Sequence, residues 1–125
     1  MMFDTDVLIW ALRGNQRSAK TIDGAESLEV SIVNYMELLQ GGRNKNERHM
    51  IRAFLGDLGF NILPLSENIG HRAGIYMEQY SLKAELGIAD ALIAATAVER
   101  GLLLCTGNAK HYRNIEGVSL QVFRP

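Results

Sequence analysis

An acidic residue in an otherwise apolar helix is the first sign of chemistry in this sequence. Asp90 lies in the first turn of a predicted helix that starts near Gly87, and the following residues are apolar on almost every side. A helix of this kind is normally buried. A carboxylate in a low-dielectric interior must be neutralised, hydrogen-bonded or paired with a cation. Asp90 is therefore either a cap of its helix or a ligand of a cation, and taken alone the cap is the simpler interpretation.

Polar residues also follow apolar runs near both ends of the chain. Asp4 and Asp6 come directly after an apolar lead-in, and Thr106 and Asn108 follow an apolar run near the other end. An aspartate in this place can simply cap a helix, and a threonine and an asparagine can shape a turn. A hydroxyl and an amide at the end of a strand can also orient an attacking water. The pattern alone leaves these alternatives open.

The elements that must position these residues alternate between strand and helix. Asn15 and Ser31 are suitable N-terminal caps, and Gly14 and Gly101 are suitable helix stops. Because there is no linker and no repeat, the alternation predicts one α/β domain over residues 1–125. We expect a three-layer α/β/α arrangement around a central, mainly parallel sheet of about five strands. The predicted strands lie at 1–3, 28–30, 60–65, 102–105 and 119–123, and the predicted helices at 7–12, 15–25, 32–40, 44–58, 67–83 and 87–100.

This topology brings distant polar residues to one edge of the sheet. Right-handed crossovers place the carboxyl ends of parallel strands on the same side, and ligands of open sheets bind just beyond those ends. Asp4, Thr106 and Asn108 follow strands at that edge. Asp90 begins a helix there, because the strand after this helix runs back across the sheet. The helix that holds Glu37 also begins at this edge, where the second strand ends. We therefore expect polar positions from four separate segments to converge.

The charges are unevenly distributed along the chain. The formal net charge is −1, yet residues 41–52 and 100–125 each carry four cations against one glutamate, a net charge of +3, so the rest of the chain is acidic. The simplest interpretation of such basic segments is that they form solvent-exposed surface. An acidic centre flanked by basic segments also suits a metal-dependent enzyme that acts on a polyanion.

Cysteine content and hydropathy indicate the compartment. Cys105 is the one cysteine, so no internal disulfide can form, which fits a reducing environment. No apolar run approaches the ~20 residues that span a bilayer, and acidic residues at the amino terminus do not fit a signal peptide. We expect a cytoplasmic protein without a membrane partner.

Carboxylates that meet in one pocket repel each other unless a cation lies between them. Mg²⁺ and Mn²⁺ prefer such oxygen ligands and act on phosphate substrates. A bound ion of this kind polarises phosphoryl oxygens and activates water, so a phosphodiester can be hydrolysed without a protein nucleophile. Zinc is not supported, since the three histidines have no ligand spacing with Cys105. A serine hydrolase is not supported either, because no G-x-S-x-G motif is present.

Four segments together resemble a known family. FDTDVLIWAL, SIVNYMELLQG, GIADALIAATA and LCTGNAKHYRNI are similar, in order and spacing, to PIN-domain ribonucleases of the VapC type, the toxins of toxin–antitoxin pairs. The resemblance covers the whole chain. It implies a compact α/β/α fold, Mg²⁺ or Mn²⁺ as cofactor, and hydrolysis of RNA, often tRNA. It also implies a homodimer and a small antitoxin whose tail blocks the acidic pocket.

The resemblance also implies roles for individual residues. Asp4, Glu37 and Asp90 match the family's acidic metal ligands, and Asn108 matches a fourth catalytic position that is Asp in many members. Only the resemblance selects Glu37, because nothing in the pattern distinguishes it from other glutamates. Many relatives have a basic residue at the position of Gly107. As auxiliary groups we expect Asp6 and Thr106, and as contacts to RNA phosphates Lys110, His111 and Arg113.

Three other interpretations compete with a ribonuclease. Asp4 and Asp6 mimic the D-x-D signature of haloacid-dehalogenase-type phosphohydrolases, with Asp4 as a covalent nucleophile, but that chemistry needs a lysine and paired acids after later strands, for which no good candidates exist. A non-catalytic PIN-like module would only bind RNA or a partner, with Asn108 as a sign of lost activity. A receiver domain is less favoured, since the third strand ends in Leu65 and Ser66 without a phospho-accepting aspartate.

Overall fold

The computed structural model describes residues 1–125 and contains five strands and six α-helices. The strands are β1 (Met2–Phe3), β2 (Glu29–Ser31), β3 (Asn61–Leu63), β4 (Leu104–Thr106) and β5 (Leu120–Val122). The helices are α1 (Thr5–Leu12), α2 (Gln16–Asp23), α3 (Ile32–Gly41), α4 (Lys45–Leu58), α5 (Glu67–Tyr80) and α6 (Ile88–Glu99), with a short 3₁₀ helix at Ala109–His111.

The five strands form one parallel sheet in the order β3-β2-β1-β4-β5. Parallel neighbours need crossover connections, and helices supply them here. The register pairs Phe3 with Cys105, so β1 and β4 end side by side at the centre of the sheet. The predicted α/β fold with a parallel five-stranded sheet is confirmed.

Side-chain caps fix where four of the helices begin. In each case a cap oxygen accepts a hydrogen bond from the backbone N–H three residues later, which satisfies one of the free donors of the first turn. Ser31 does this for α3 at 3.0 Å and Asn15 for α2 at 2.9 Å, as the sequence predicts. The other two caps are Asn44 and Ser66.

Successive strand residues point to opposite faces of the sheet and build two hydrophobic cores. Met2 and Leu104 pack on the face that α5 and α6 cover, whereas Phe3 and Cys105 pack on the opposite face, against α1 and α4. The expectation that the apolar helix at Asp90 is buried is confirmed for most of α6; its first residue, Ile88, is 70% exposed. None of the helices combines the length and the apolar character that crossing a bilayer would require.

Several predicted boundaries are wrong by two or three residues. Helix α1 begins at Thr5 rather than at 7, and strand β4, predicted at 102–105, is Leu104–Thr106. Helix α5 ends at Tyr80 rather than near Lys83, where turns replace it, and Glu85 then adopts a positive φ of 53°. Strand β3 ends at Leu63 rather than at 65. Pro64 follows directly, and a proline has no N–H to continue the ladder.

Candidate active site

Asp4 is the central residue at the carboxyl edge of the sheet. It lies between β1 and α1, caps α1, and is 5% exposed. Its Oδ1 accepts hydrogen bonds from the backbone N–H of Thr5 (2.9 Å) and from Nδ2 of Asn34 (3.0 Å). Its Oδ2 accepts from the hydroxyls of Thr106 (2.7 Å) and Tyr112 (3.2 Å). An ionised carboxylate only accepts hydrogen bonds, so four neutral donors satisfy Asp4 while its charge remains uncompensated.

Asp90 lies close to Asp4 through the hydroxyl of Tyr112. That hydroxyl is 3.2 Å from Oδ2 of Asp4 and 3.3 Å from Oδ1 of Asp90. Burial, together with the two neighbouring carboxylates, raises the pKa of Tyr112 far above its usual value, so the phenol is neutral at physiological pH. A phenol has a single proton, and it can donate to only one of the two carboxylates at a time. The other carboxylate then faces an oxygen lone pair, an arrangement that favours an added cation.

The second oxygen of Asp90 serves as the cap that the sequence suggests. Oδ2 accepts a long hydrogen bond of 3.4 Å from the backbone N–H of Gly87, and it lies 3.3 Å from Nδ1 of His111. Oδ1 meanwhile faces Tyr112 and Asp4. The two interpretations of Asp90, as a cap and as a ligand, are therefore compatible, because each uses a different oxygen.

Glu37 is joined to Asp4 through two polar side chains that the sequence pattern did not reveal. The hydroxyl of Thr5 donates to Oε1 of Glu37 at 2.7 Å, and Nδ2 of Asn34 lies 2.9 Å from that hydroxyl and 3.0 Å from Asp4. Asn34 is fully buried, and its Oδ1 accepts from the cap residue Ser31 at 2.6 Å. Asn34 lies three residues from both Ser31 and Glu37, so helical spacing was the signal that could have revealed it.

The loop after β4 is held against the site by Asp6. Its Oδ2 accepts from the backbone N–H of Gly107 at 2.9 Å, and its Oδ1 from Val7 at 2.8 Å. Burial and the charge of Asp4 raise the pKa of Asp6. Thr106, which donates to Asp4, also accepts from the backbone N–H of Asn108 at 3.0 Å. Asp6 and Thr106 thus position this loop, and the exposed side chain of Asn108 makes no hydrogen bond within the chain.

The basic residues predicted to contact RNA have different surroundings. His111 contacts Asp90. Lys110 and Arg113 are exposed and form no ion pair. Both therefore remain available to an anion beside the acidic site.

The donor set fits a hard divalent cation. Asp4, Asp90 and Glu37 supply carboxylate oxygens, and no lysine or arginine pairs with any of them. No three acidic, histidine or cysteine side chains are arranged to ligate one ion together. Mg²⁺ commonly binds through one or two carboxylates and keeps several waters. Asp4 and Asp90, whose carboxylates approach one hydroxyl, meet that requirement, and Glu37 is linked to Asp4 through Thr5 and Asn34.

Comparisons with known proteins agree with this architecture. A family model described as the PIN domain matches residues 1–116. Ribonuclease VapC10 of Mycobacterium tuberculosis is 34% identical over 120 residues, which cover 93% of this chain and 88% of that protein. Ribonuclease VapC1 of Rickettsia felis is 32% identical over 126 residues, which cover 96% of this chain and 93% of that protein.

Solved structures show the same fold. A toxin–antitoxin complex from Klebsiella pneumoniae contains a chain that is 29% identical, with a TM-score of 0.79 and coverage of 94% of this chain and 93% of that chain. VapBC-1 from nontypeable Haemophilus influenzae superposes with a TM-score of 0.82 at 23% identity, covering 97% of this chain and 96% of that chain. At that identity the second likeness concerns the fold alone.

The bridging hydroxyl of Tyr112 leads to a stability prediction. Replacing Tyr112 with phenylalanine removes the donor between two carboxylates, so the free energy of unfolding in EDTA should fall by about 1.5–3 kcal/mol, the range for a hydrogen bond to a charged group. Denaturant unfolding measures this change. Tyr35→Phe is the control, because Tyr35 is also partly buried against a hydrophobic core and its hydroxyl makes no hydrogen bond within the chain. An equal loss in both variants would show that the bridge contributes nothing.

The contact of Gly107 with Asp6 leads to a second stability prediction. A Cβ at position 107 would lie 2.5 Å from Oδ2 of Asp6, so in Gly107→Ala the Asp6 carboxylate must shift and its hydrogen bond from the N–H of residue 107 weakens. The free energy of unfolding should fall by about 0.5–1.5 kcal/mol, the net contribution of one hydrogen bond. Gly70→Ala in α5 is the control, because a Cβ there has no neighbour within 4 Å; it should be neutral or slightly stabilising. Most of the Gly107→Ala loss should disappear in an Asp6→Ala background, and an undiminished loss would mean that another contact causes it.

Proposed function

This chain belongs to the PIN domain family, among the ribonucleases of VapC type, and we propose that its acidic site hydrolyses RNA phosphodiesters with Mg²⁺ or Mn²⁺. The observation that carries the proposal is the pair formed by Asp4 and Asp90. Both carboxylates approach one neutral hydroxyl, and neither is paired with a lysine or arginine. A divalent cation relieves the repulsion of such a pair.

Asp4 and Asp90 would hold the metal ion directly, and Glu37 would complete the site. The ion, when bound, polarises a phosphoryl oxygen and lowers the pKa of a bound water. The chain's own neutral donors hold these carboxylates in position, since Thr106 and Asn34 orient Asp4 and Thr5 orients Glu37.

The remaining site residues would act on the substrate. The free amide of Asn108 lies one residue beyond Gly107, at the rim of the site, where it can orient a water or a phosphate oxygen. Lys110, His111 and Arg113 would contact the RNA phosphates, with His111 also held by Asp90. Binding of this kind is electrostatic and weakens with added salt. That the RNA is a tRNA, and that the enzyme works in the cytoplasm as a homodimer, stay predictions from the sequence.

An antitoxin partner is supported by the neighbours of known structure, several of which are toxin–antitoxin complexes. An open groove of about 640 Å³ has Glu37 in its lining. Its apolar side chains come from α1, α3 and α4, among them Leu12, Leu38 and Met50, and its other charged side chains are Arg13, Arg43 and Glu47. An amphipathic segment fits a groove of this kind. A partner seated there would reach Glu37, and it would thereby inhibit cleavage.

The phosphohydrolase alternative requires a feature that the site does not display, and the binding module is separated by experiment. A phosphohydrolase with Asp4 as nucleophile needs a lysine near the site, whereas both oxygens of Asp4 are occupied by neutral donors. Phosphorylation of Asp4 in a trapped intermediate would revive that mechanism. A purely binding module would bind RNA without cleaving it at any metal concentration.

Removing the charge of one of the two paired carboxylates tests the proposed function. Asp90→Asn should lower the rate of RNA cleavage at least about 100-fold, since metal ions contribute several kcal/mol to such reactions. It should also weaken Mn²⁺ binding in titration calorimetry. Asp57→Asn on the exposed face of α4 is the matched control and should keep both properties. Thermal unfolding confirms that the variants are folded.

Chelation completes that experiment. Wild-type protein in EDTA should lose cleavage, and Mg²⁺ or Mn²⁺ should restore it. End mapping of total cellular RNA identifies the cleaved bonds. Cleavage that persists in EDTA, or in Asp90→Asn at the wild-type rate, would rule out the proposed mechanism.

A further inference from the structure

A second, basic groove lies between α2 and the end of β5. It encloses about 340 Å³, and seven residues line it. Three of these are cations, Arg17, Lys20 and Arg124, and two are the polar residues Thr21 and Gln121. No acidic residue lines it, although the chain as a whole carries a net charge of −1. We call it the α2–β5 groove.

The three cations of this groove have no partners in the protein. The ion pairs of the structure involve the amino terminus, Arg43, Arg72 and His111, and none of them involves Arg17, Lys20 or Arg124. No side-chain hydrogen bond within the chain uses these three groups either, whereas Arg43 donates several to Glu47. Unpaired cations that face a common space attract an anion.

The groove adjoins the acidic site through the backbone. Phe123, in the wall of the groove, donates its N–H to the carbonyl of Thr106 at 2.8 Å. Its own carbonyl oxygen would lie 3.4 Å from a Cβ on Gly107, whose N–H is bonded to Asp6. Gly107 therefore lies between Phe123 of the groove wall and Asp6. These contacts place the groove next to the loop that follows β4, whose Thr106 donates to Asp4.

We propose that the α2–β5 groove binds the phosphate backbone of the RNA strand where it leaves the acidic site. This inference rests on the proposed ribonuclease function. An acidic site repels a polyanion, and cations beside it offset that repulsion. The groove is open and its cations are exposed, which suits the tracking of a flexible backbone better than the enclosure of one small anion. An acidic protein segment has the same charge and is the alternative that the experiment must separate.

The test measures binding of a fluorescein-labelled single-stranded RNA by anisotropy in the Asp90→Asn background, at several salt concentrations. In the triple variant Arg17→Gln, Lys20→Gln and Arg124→Gln, affinity at ~0.1 M salt should fall about 10- to 100-fold. The slope of log K against log salt should become shallower by about 2, because each lost contact to a single strand removes ~0.7. Lys45→Gln, Arg52→Gln and Arg100→Gln together are the control, since they remove the same charge from exposed positions elsewhere.

Each result decides the inference. A large change in the groove variant with a small change in the control supports it, whereas equal changes would show that only net charge matters and would overturn it. Competition by polyglutamate as effective as that by unlabelled RNA would assign the groove to an acidic protein segment instead. The proposed function is judged separately by cleavage with the wild-type chain. If wild-type protein cleaves RNA but the groove variant keeps the wild-type salt slope, only the inference about the groove is refuted. If the protein neither cleaves nor binds RNA, the proposed function and the inference about the groove are both refuted.

Discussion

A buried carboxylate without a counter-cation is the constraint on which the rest of this structure depends. Asp4 is nearly inaccessible, and its oxygens accept hydrogen bonds from α1, from α3, from the end of β4 and from the segment that follows the 3₁₀ helix. A buried charge is tolerated only when such bonds replace its hydration. Because the donors come from four separate parts of the chain, the whole carboxyl edge of the sheet must be assembled before Asp4 is satisfied.

The choice of neutral donors determines the electrostatics of the site. An arginine beside Asp4 would satisfy the same oxygens and would also cancel the charge. Hydroxyl and amide groups satisfy the oxygens but leave the charge in place, so Asp4 and Asp90 still repel each other across Tyr112. The raised pKa of Asp6, which follows from burial and from the charge of Asp4, is a sign of the same uncompensated field. An uncompensated charge of this kind costs stability, and it is also the feature that a cation would bind.

The sequence predicted the fold well, because local signals agree along most of the chain. Caps such as Ser31 and Asn15, and apolar runs of strand length, fix the alternation of elements, and parallel topology then brings Asp4, Thr106 and Asp90 together. Glu37 could not be found in this way, since an acidic residue in the middle of a helix has no local signature. Thr5 and Asn34 were missed for a related reason, because their roles arise only from tertiary contacts. Tyr112 resembles an ordinary core aromatic in sequence, and only the position of its hydroxyl shows otherwise.

Gly107 lies between the acidic site and the α2–β5 groove. The resemblance to VapC-type ribonucleases places a basic residue there in many relatives. In this chain a Cβ at position 107 would lie 2.5 Å from Oδ2 of Asp6, so a larger residue there requires the Asp6 side chain to move. The nearest wall beyond Gly107 belongs to the α2–β5 groove, whose cations are free. If that groove carries the RNA backbone, the positive charge that many relatives have at 107 is supplied in this chain from α2 and from the end of β5.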